Sequence, residues 1–408
     1  MRRIEDYEPI VGRFRIHELY KLGEKLNGKI IQNINSTAVG GGVAEILDRM
    51  VPLLRQLGIN ARWDVIKGGE EFFKITKRFH NALHGVKLDF HEKEFEYFLE
   101  VNRENAEMMD LVGDVIFIHD PQPIALVEKK KEIGRNWLWR CHIDFSTPIP
   151  QIWEFLKGYI EEYDAAIFSA PAFSRELKIP QVLISPSIDP LSDKNKELST
   201  EEVRSVIESF KIDLSRPVVT QISRFDYLKD PLGVIDAYKM AKKYVDCQLV
   251  LAGGPATDDP EGEIVFNAIK ERAASDPDIF ILLLPPASDI EINALQRGST
   301  IVLQKSLKEG FGLTVAEALW KERPVIASAV GGIPLQITHK YSGILTRTVE
   351  GTSFWIKQLI QEPDFARMLG KNGKERIKNN FLITRHLTDY MLTFLHLMEG
   401  GAEDIVYL

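Results

Sequence analysis

Arg224 and Lys229 stand five residues apart in the run Ser223-Arg224-Phe225-Asp226-Tyr227-Leu228-Lys229. A guanidinium offers a planar fork to phosphate oxygens, and an ammonium adds a compact charge. The pair suits neutralisation of a diphosphate as negative charge develops on it. The plainer alternative is two solvated cations, one of them paired with Asp226 or Asp230. Glu309 and Glu317 are separated by seven residues in Glu309-Gly310-Phe311-Gly312-Leu313-Thr314-Val315-Ala316-Glu317. A Gly-Phe-Gly turn leading into a helix points backbone N–H groups outward, toward hydroxyls or phosphate. Glu317 can accept from two ribose hydroxyls, or it only completes a capping box with Thr314. Glu309 binds a ligand or is a surface carboxylate beside a turn.

Gly40-Gly41-Gly42 lie between a strand pattern and a helix pattern. Such glycines let backbone N–H groups approach an anion at the positive end of the helix. The alternative is a flexible turn that packs the helix. The triplet is not the G-x-G-x-x-G dinucleotide fingerprint. His119-Asp120-Pro121 ends one strand pattern, and Arg140-Cys141-His142-Ile143-Asp144 ends the next. Adjacent strand ends bring Asp120 and His142 into one cleft. His142 then donates a hydrogen bond to a sugar hydroxyl or lends its carbonyl, while Asp120 orients an acceptor hydroxyl. Histidines satisfied within the fold are the structural alternative. None of these residues has the spacing of a zinc site.

All four groups follow strand ends, where open α/β sheets bind their ligands. Strand patterns at 29–35, 62–66, 114–119, 137–143, 165–169 and 181–185 alternate with helical ones. A Pro/Ser/Asp stretch at 186–192 then reads as a linker. A second series follows at 217–222, 248–252, 279–284, 300–304, 324–327 and 343–345. Alternation of this kind implies parallel sheets with right-handed crossovers. The expectation is an α/β chain of two Rossmann-like, doubly wound domains facing a central cleft. Their bounds are 1–190 and 191–375, with a helical segment 376–408 able to pack back on the first. The last segment, 361–397, reads as long, helical and amphipathic and could pack on either domain.

Composition narrows the partners. The 408 residues are 44% apolar and 27% charged, as in globular proteins. A net charge of −8 lacks the basic footprint of a nucleic-acid binder. No stretch approaches the ~20 apolar residues that cross a bilayer, and Met1-Arg2-Arg3-Ile4-Glu5-Asp6 precedes no apolar secretory core. Cys141 and Cys247 read as two buried thiols in a reducing, cytoplasmic setting rather than a disulfide framework or metal cluster.

Residues 309–317 resemble the E-x7-E motif of the retaining GT-B glycosyltransferases. Arg224 through Lys229 resembles the phosphate-binding R-x4-K of that family, and 40–42 its glycine loop. The runs Asn35-Ser36-Thr37, Val43-Ala44-Glu45-Ile46-Leu47, Val101-Asn102-Arg103-Glu104-Asn105, His119-Asp120-Pro121-Gln122-Pro123 and 137–144 are similar to its trehalose-forming, glycosyltransferring members. The resemblance implies that Arg224 and Lys229 meet the donor diphosphate and Glu317 its ribose. It also implies that Glu309, Gly310, Phe311, Gly312 and Leu313 hold the donor glucose, with His142 and Asp120 at the reacting sugars.

The implied reaction joins UDP-, ADP- or GDP-glucose to glucose, giving α,α-trehalose and the nucleoside diphosphate, reversibly and with retention. No tightly bound cofactor or metal is implied. The partners are small sugars, with no nucleic acid and no membrane. Base choice, stimulation by a divalent cation and a homodimer stay open. So do a phosphorylase using glucose 1-phosphate and a synthase using glucose 6-phosphate; the latter wants extra cations, and Arg62, Arg78 and Arg103 form no evident cluster. From other classes, a sugar-nucleotide epimerase and a non-catalytic nucleotide-sugar sensor share the architecture. Two features depart from many relatives. Gly331-Gly332-Ile333-Pro334 is followed by Leu335-Gln336 instead of glutamate, and an acidic run at 257–261 can border the base.

Glu317→Gln separates ribose binding from capping, because glutamine still caps. The expected outcome is a raised KM for the donor with an unchanged melting temperature, checked by steady-state kinetics beside thermal denaturation.

Overall fold

The computed structural model describes residues 2–39, 41–254, 260–274, 276–399 and 405–406. Two compact units form, one from 1–187 with 383–408 and the other from 188–382. The first contains β1 (Ile30–Asn35), β2 (Asn60–Val65), β3 (Val115–His119), β4 (Asn136–Cys141), β5 (Ala165–Phe168) and β6 (Gln181–Leu183). All pair in parallel in the order β2-β1-β3-β4-β5-β6, and the two-residue strand Ile405–Val406 adds beside β6. Every residue of β3 is buried, as expected of a parallel sheet covered on both faces.

The second unit contains β7 (Val218–Ile222), β8 (Gln248–Gly253), β9 (Ile279–Leu283), β10 (Ile301–Gln304), β11 (Val325–Ser328) and β12 (Ile344–Thr346). Their order is β9-β8-β7-β10-β11-β12, again all parallel. From β7 the chain winds toward β8 and β9; from β10 it winds the other way. Loops leaving two neighbouring strands in opposite directions open a crevice at their carboxyl ends. The same reversal occurs in the first unit between β1 and β3. Each unit therefore has one topological switch point; Arg224, Lys229, Glu309 and Asp120 follow strands that flank one, while His142 follows β4, beside β3.

The helix pattern over 361–397 is two helices, Pro363–Asn380 and Ile383–Met398. The break arises because the Phe381 carbonyl accepts from the Ile188 N–H at 2.9 Å and Leu382 bridges to Ile188. The backbone there is spent on a strand-like partner instead of a helical one. The stretch 186–192, read as a linker, does contain the boundary between the two units, between 187 and 188, and it is ordered. The Asp189 carbonyl accepts from the Ser192 N–H and from Asn195 Nδ2, making an ordered turn.

Helix Ile383–Met398 belongs to the first unit, where Tyr390 and Phe394 pack edge-on to Phe117 at 5.1 and 5.6 Å between ring centres. Burying each such ring is worth about 1.5–3 kcal/mol. Among the described residues no helix is long and apolar enough to cross a membrane.

Candidate active site

In the second unit, the switch point is closed by side chains from both of its loops. Gln221, buried at the end of β7, donates through Nε2 to the Lys229 carbonyl at 2.8 Å. Its Oε1 accepts from the Lys305 N–H at 2.9 Å, just beyond β10. The Leu307 N–H donates to the Leu228 carbonyl at 2.8 Å, and Lys305 Nζ is ion-paired with Asp230. Fastened in this way, Lys229 Nζ meets Glu309 Oε2 at 2.7 Å. Gln304 Nε2 and Ser306 Oγ donate to the same oxygen, each at 3.2 Å. Among the described residues, Oε1 of Glu309 accepts no hydrogen bond. Arg224 lies on the same loop, exposed, 3.2 Å from Asp226.

The loop at 309–312 is held from behind. The Gly332 N–H donates to the Gly310 carbonyl at 2.9 Å. Gln336, fully buried, donates through Nε2 to the Phe311 and Gly312 carbonyls at 2.6 and 3.3 Å. With three successive carbonyls turned inward, the planar peptides turn the N–H groups of Phe311, Gly312 and Leu313 the other way. The helix Leu313–Trp320 adds its positive end. Gly331 has a positive φ of 54°, and a Cβ there would meet the Glu309 carbonyl oxygen at 1.6 Å. Only glycine permits that approach.

Two carbonyls aimed at position 336 thus call for an amide donor, which a carboxylate lacks. Glu317 is no cap, since the helix begins at Gly312 with no side-chain cap bond. It is buried, 4.0 Å from Lys194. The unchanged melting temperature expected of Glu317→Gln on capping grounds therefore does not follow, and loss of the buried charge is expected to lower it.

In the first unit, Asp120 adopts a left-handed turn (φ 65°) directly after β3. Its Oδ1 accepts from the His142 N–H at 2.7 Å, and its own N–H donates to the Arg140 carbonyl at 2.8 Å. His142 Nε2 lies 3.1 Å from His119 Nδ1, and His119 Nε2 lies 3.2 Å from Asn33 Oδ1. Asp144 stands apart from this group, accepting from the Ser146 N–H within its own turn. Arg140 is wholly buried, bonded to the Ile184 carbonyl and to His386 Nε2, with its guanidinium over the Tyr390 ring. None of these partners is a carboxylate.

Burial, reinforced by the Arg140 charge, holds His119 and His142 well below the usual histidine range, so both are neutral near pH 7. Burial pushes the Asp120 carboxyl up to about 7, against the His142 N–H and Arg140, which favour the anion. Of the glycine loop, Gly40 lies outside the described residues, while Gly41 opens the helix Gly41–Gln56 and Gly42 is exposed on it. The acidic run loses Thr257, Asp258 and Asp259 to the same boundary. Arg62, Arg78 and Arg103 each have an acidic neighbour, in Asp110, Glu94 and Glu128.

Comparison with known proteins gives these sites a family. The model of the trehalose synthase N-terminal domain matches residues 33–175, and that of the group 1 glycosyl transferases matches 203–376. A trehalose synthase from Thermococcus litoralis is 46% identical over 396 residues, covering 96% of each chain. The chain belongs to the trehalose synthase family of glycosyltransferases. A trehalose phosphorylase from Pleurotus pulmonarius is 30% identical over 84% of this chain, but over only 54% of its own. The fold is that of an α,α-trehalose-phosphate synthase (UDP-forming) from Burkholderia xenovorans, with a TM-score of 0.72 at 14% identity over 90% of this chain and all of the other. In this GT-B architecture the runs 224–229 and 309–317 follow the two strands that flank one switch point.

Sequence reasoning singled out Lys229 and Glu309 but not their pairing. It missed Gln221, Gln304, Ser306 and Gln336 in this trehalose synthase family member. The available signal for three of them was a polar residue at or just past the end of an apolar strand run, as at Gln221, Gln304 and Ser306. Gln336 ends a short helix and carried none.

Gln336→Glu removes two donors and sets a carboxylate against two carbonyls. Leaving buried acceptors unsatisfied costs ~1–3 kcal/mol each. Turnover is expected to fall by at least about tenfold, with a lower melting temperature, in kinetics and thermal denaturation. Asp120→Asn tests the raised carboxyl. Its folded-state value, about 7, exceeds the ordinary 3.8, so its contribution to stability is complete below the ordinary value and lost as pH rises through about 7. The asparagine variant is expected to gain melting temperature relative to the parent at pH 8 compared with pH 4.

Proposed function

We propose that the chain transfers a glucosyl group from a nucleoside-diphosphate glucose to glucose, forming α,α-trehalose with retention of configuration. The observation that carries this reading is the Lys229–Glu309 pair beside three outward backbone N–H groups, at a switch point of Rossmann strand order. A cation, a carboxylate and amide donors match a diphosphate joined to a sugar. The resemblance to trehalose synthases over nearly the whole chain supports trehalose as the product.

In this mechanism, the acceptor hydroxyl attacks the donor anomeric carbon as the bond to the β-phosphate oxygen breaks on the same face. The proton passes to the departing phosphate. Arg224 and Lys229 stabilise the charge that appears there, which requires Lys229 to exchange Glu309 for phosphate oxygens. Glu309 and the amides of 311–313 hold the donor glucose, and Glu317 the ribose. His142 and Asp120 orient sugar hydroxyls. The protein positions and stabilises, so no protein nucleophile is needed, unlike retaining hydrolases with two carboxylates about 5 Å apart. The acidic neighbours of Arg62, Arg78 and Arg103 favour a neutral acceptor over glucose 6-phosphate. Two free buried thiols support a cytoplasmic setting.

The test is a nucleoside-diphosphate release assay across UDP-, ADP- and GDP-glucose with glucose as acceptor, followed by linkage analysis of the product. Turnover with glucose 1-phosphate alone would overturn the reading in favour of a phosphorylase. Arg224→Ala and Lys229→Ala are each expected to lower turnover at least about tenfold, a charge-assisted contact being worth ~1.5–3 kcal/mol. Unchanged kinetics would refute their phosphate role.

A further inference from the structure

The hydrogen-bond order around His119 leaves one consistent placement of protons. The Asn33 amide is oriented by its Nδ2, which donates to the Arg62 carbonyl at 3.1 Å, so Oδ1 is the atom facing His119. An amide oxygen only accepts, so His119 Nε2 carries a hydrogen. His119 is buried and kept neutral by desolvation and Arg140, so its Nδ1 is bare. A bare Nδ1 at 3.1 Å from His142 Nε2 makes that nitrogen the donor. His142 is neutral as well, and its Nδ1 is then a lone pair, with no partner among the described residues.

We infer that Asn33 and His119 act as positioning residues that fix His142 in the Nε2–H tautomer, so that it meets a sugar hydroxyl as a hydrogen-bond acceptor through Nδ1. The sugar as ligand rests on the proposed glucosyl transfer; the tautomer does not. This reverses the expectation that His142 donates. A neutral Nδ1 orients a hydroxyl hydrogen without taking the proton, consistent with a departing phosphate as the final base. It also selects a ligand with a hydrogen to give: a fluorine or an unprotonated phosphate oxygen at that position meets lone pair with lone pair.

Long-range 1H–15N spectra of the full chain labelled with 15N-histidine read the tautomer directly, without substrate. His142→Gln and His119→Gln serve only to assign the signals. The expected result for both His119 and His142 is hydrogen on Nε2 near pH 7; hydrogen on Nδ1 of His142 overturns the inference. Asn33→Asp supplies a carboxylate that draws a second proton onto His119, whose Nδ1–H then donates to His142. The expected outcome is a reversed His142 tautomer and a fall in transfer of at least about tenfold, the size of one lost polar contact. A folded Asn33→Asp chain with the parent tautomer and full activity refutes the positioning role. If that variant does not fold, the parent spectrum decides alone. Because the tautomer is read without substrate, its failure is distinguishable from failure of glucosyl transfer in the release assay.

Discussion

Lys229 and Glu309 are eighty positions apart in the chain and 2.7 Å apart in space. Parallel pairing of β7 with β10 brings them together, and nothing local to either could. Two strands hydrogen-bonded side by side, with their connections running opposite ways, leave a gap whose rim is a pair of loops from distant sequence. Gln221 spans that rim from within, accepting from one loop and donating to the other. Position, here, is a property of strand order. The charge pair and the donor amides inherit it.

The first unit solves the same problem with different chemistry. Its reversal lies between β1 and β3, and the strand ends there supply Asn33, His119 and Asp120, with His142 arriving from just beyond β4. Charge enters indirectly, through Arg140, which is buried against neutral partners and an aromatic face. A cation held in that way is costly by itself. Burial keeps two imidazoles neutral and this charge reinforces it, which turns them into directional hydrogen-bonding groups instead of competing charges.

What the sequence made legible was short-range. Strand patterns ended within a few residues of β1 to β12, because most of these parallel strands carry short apolar runs bounded by polar or turn residues. E-x7-E and R-x4-K were readable because each spans one turn and the helix it starts. The rest depends on register and on chain order across the sheet. Gln336 serves two carbonyls that lie 25 and 24 positions earlier in the chain. Asp144 looked like a member of the histidine cluster, yet its carboxylate turns back to Ser146. The helix pattern over 361–397 carried no punctuation at Phe381, since the partner that ends the helix is Ile188, nearly two hundred residues earlier.

The split composition of the first unit has a consequence for synthesis. Ser187 Oγ and Arg140 both bind His386, whose helix is translated only after the whole of 188–382. At about 5–20 residues per second, the ribosome delivers that histidine on the order of 10–40 s after Ser187. Throughout that interval the sheet of β1 to β6 exists without its last helix, and the Arg140 guanidinium lacks both its imidazole and its aromatic cover. The first half of this chain to be made is therefore the last to be finished.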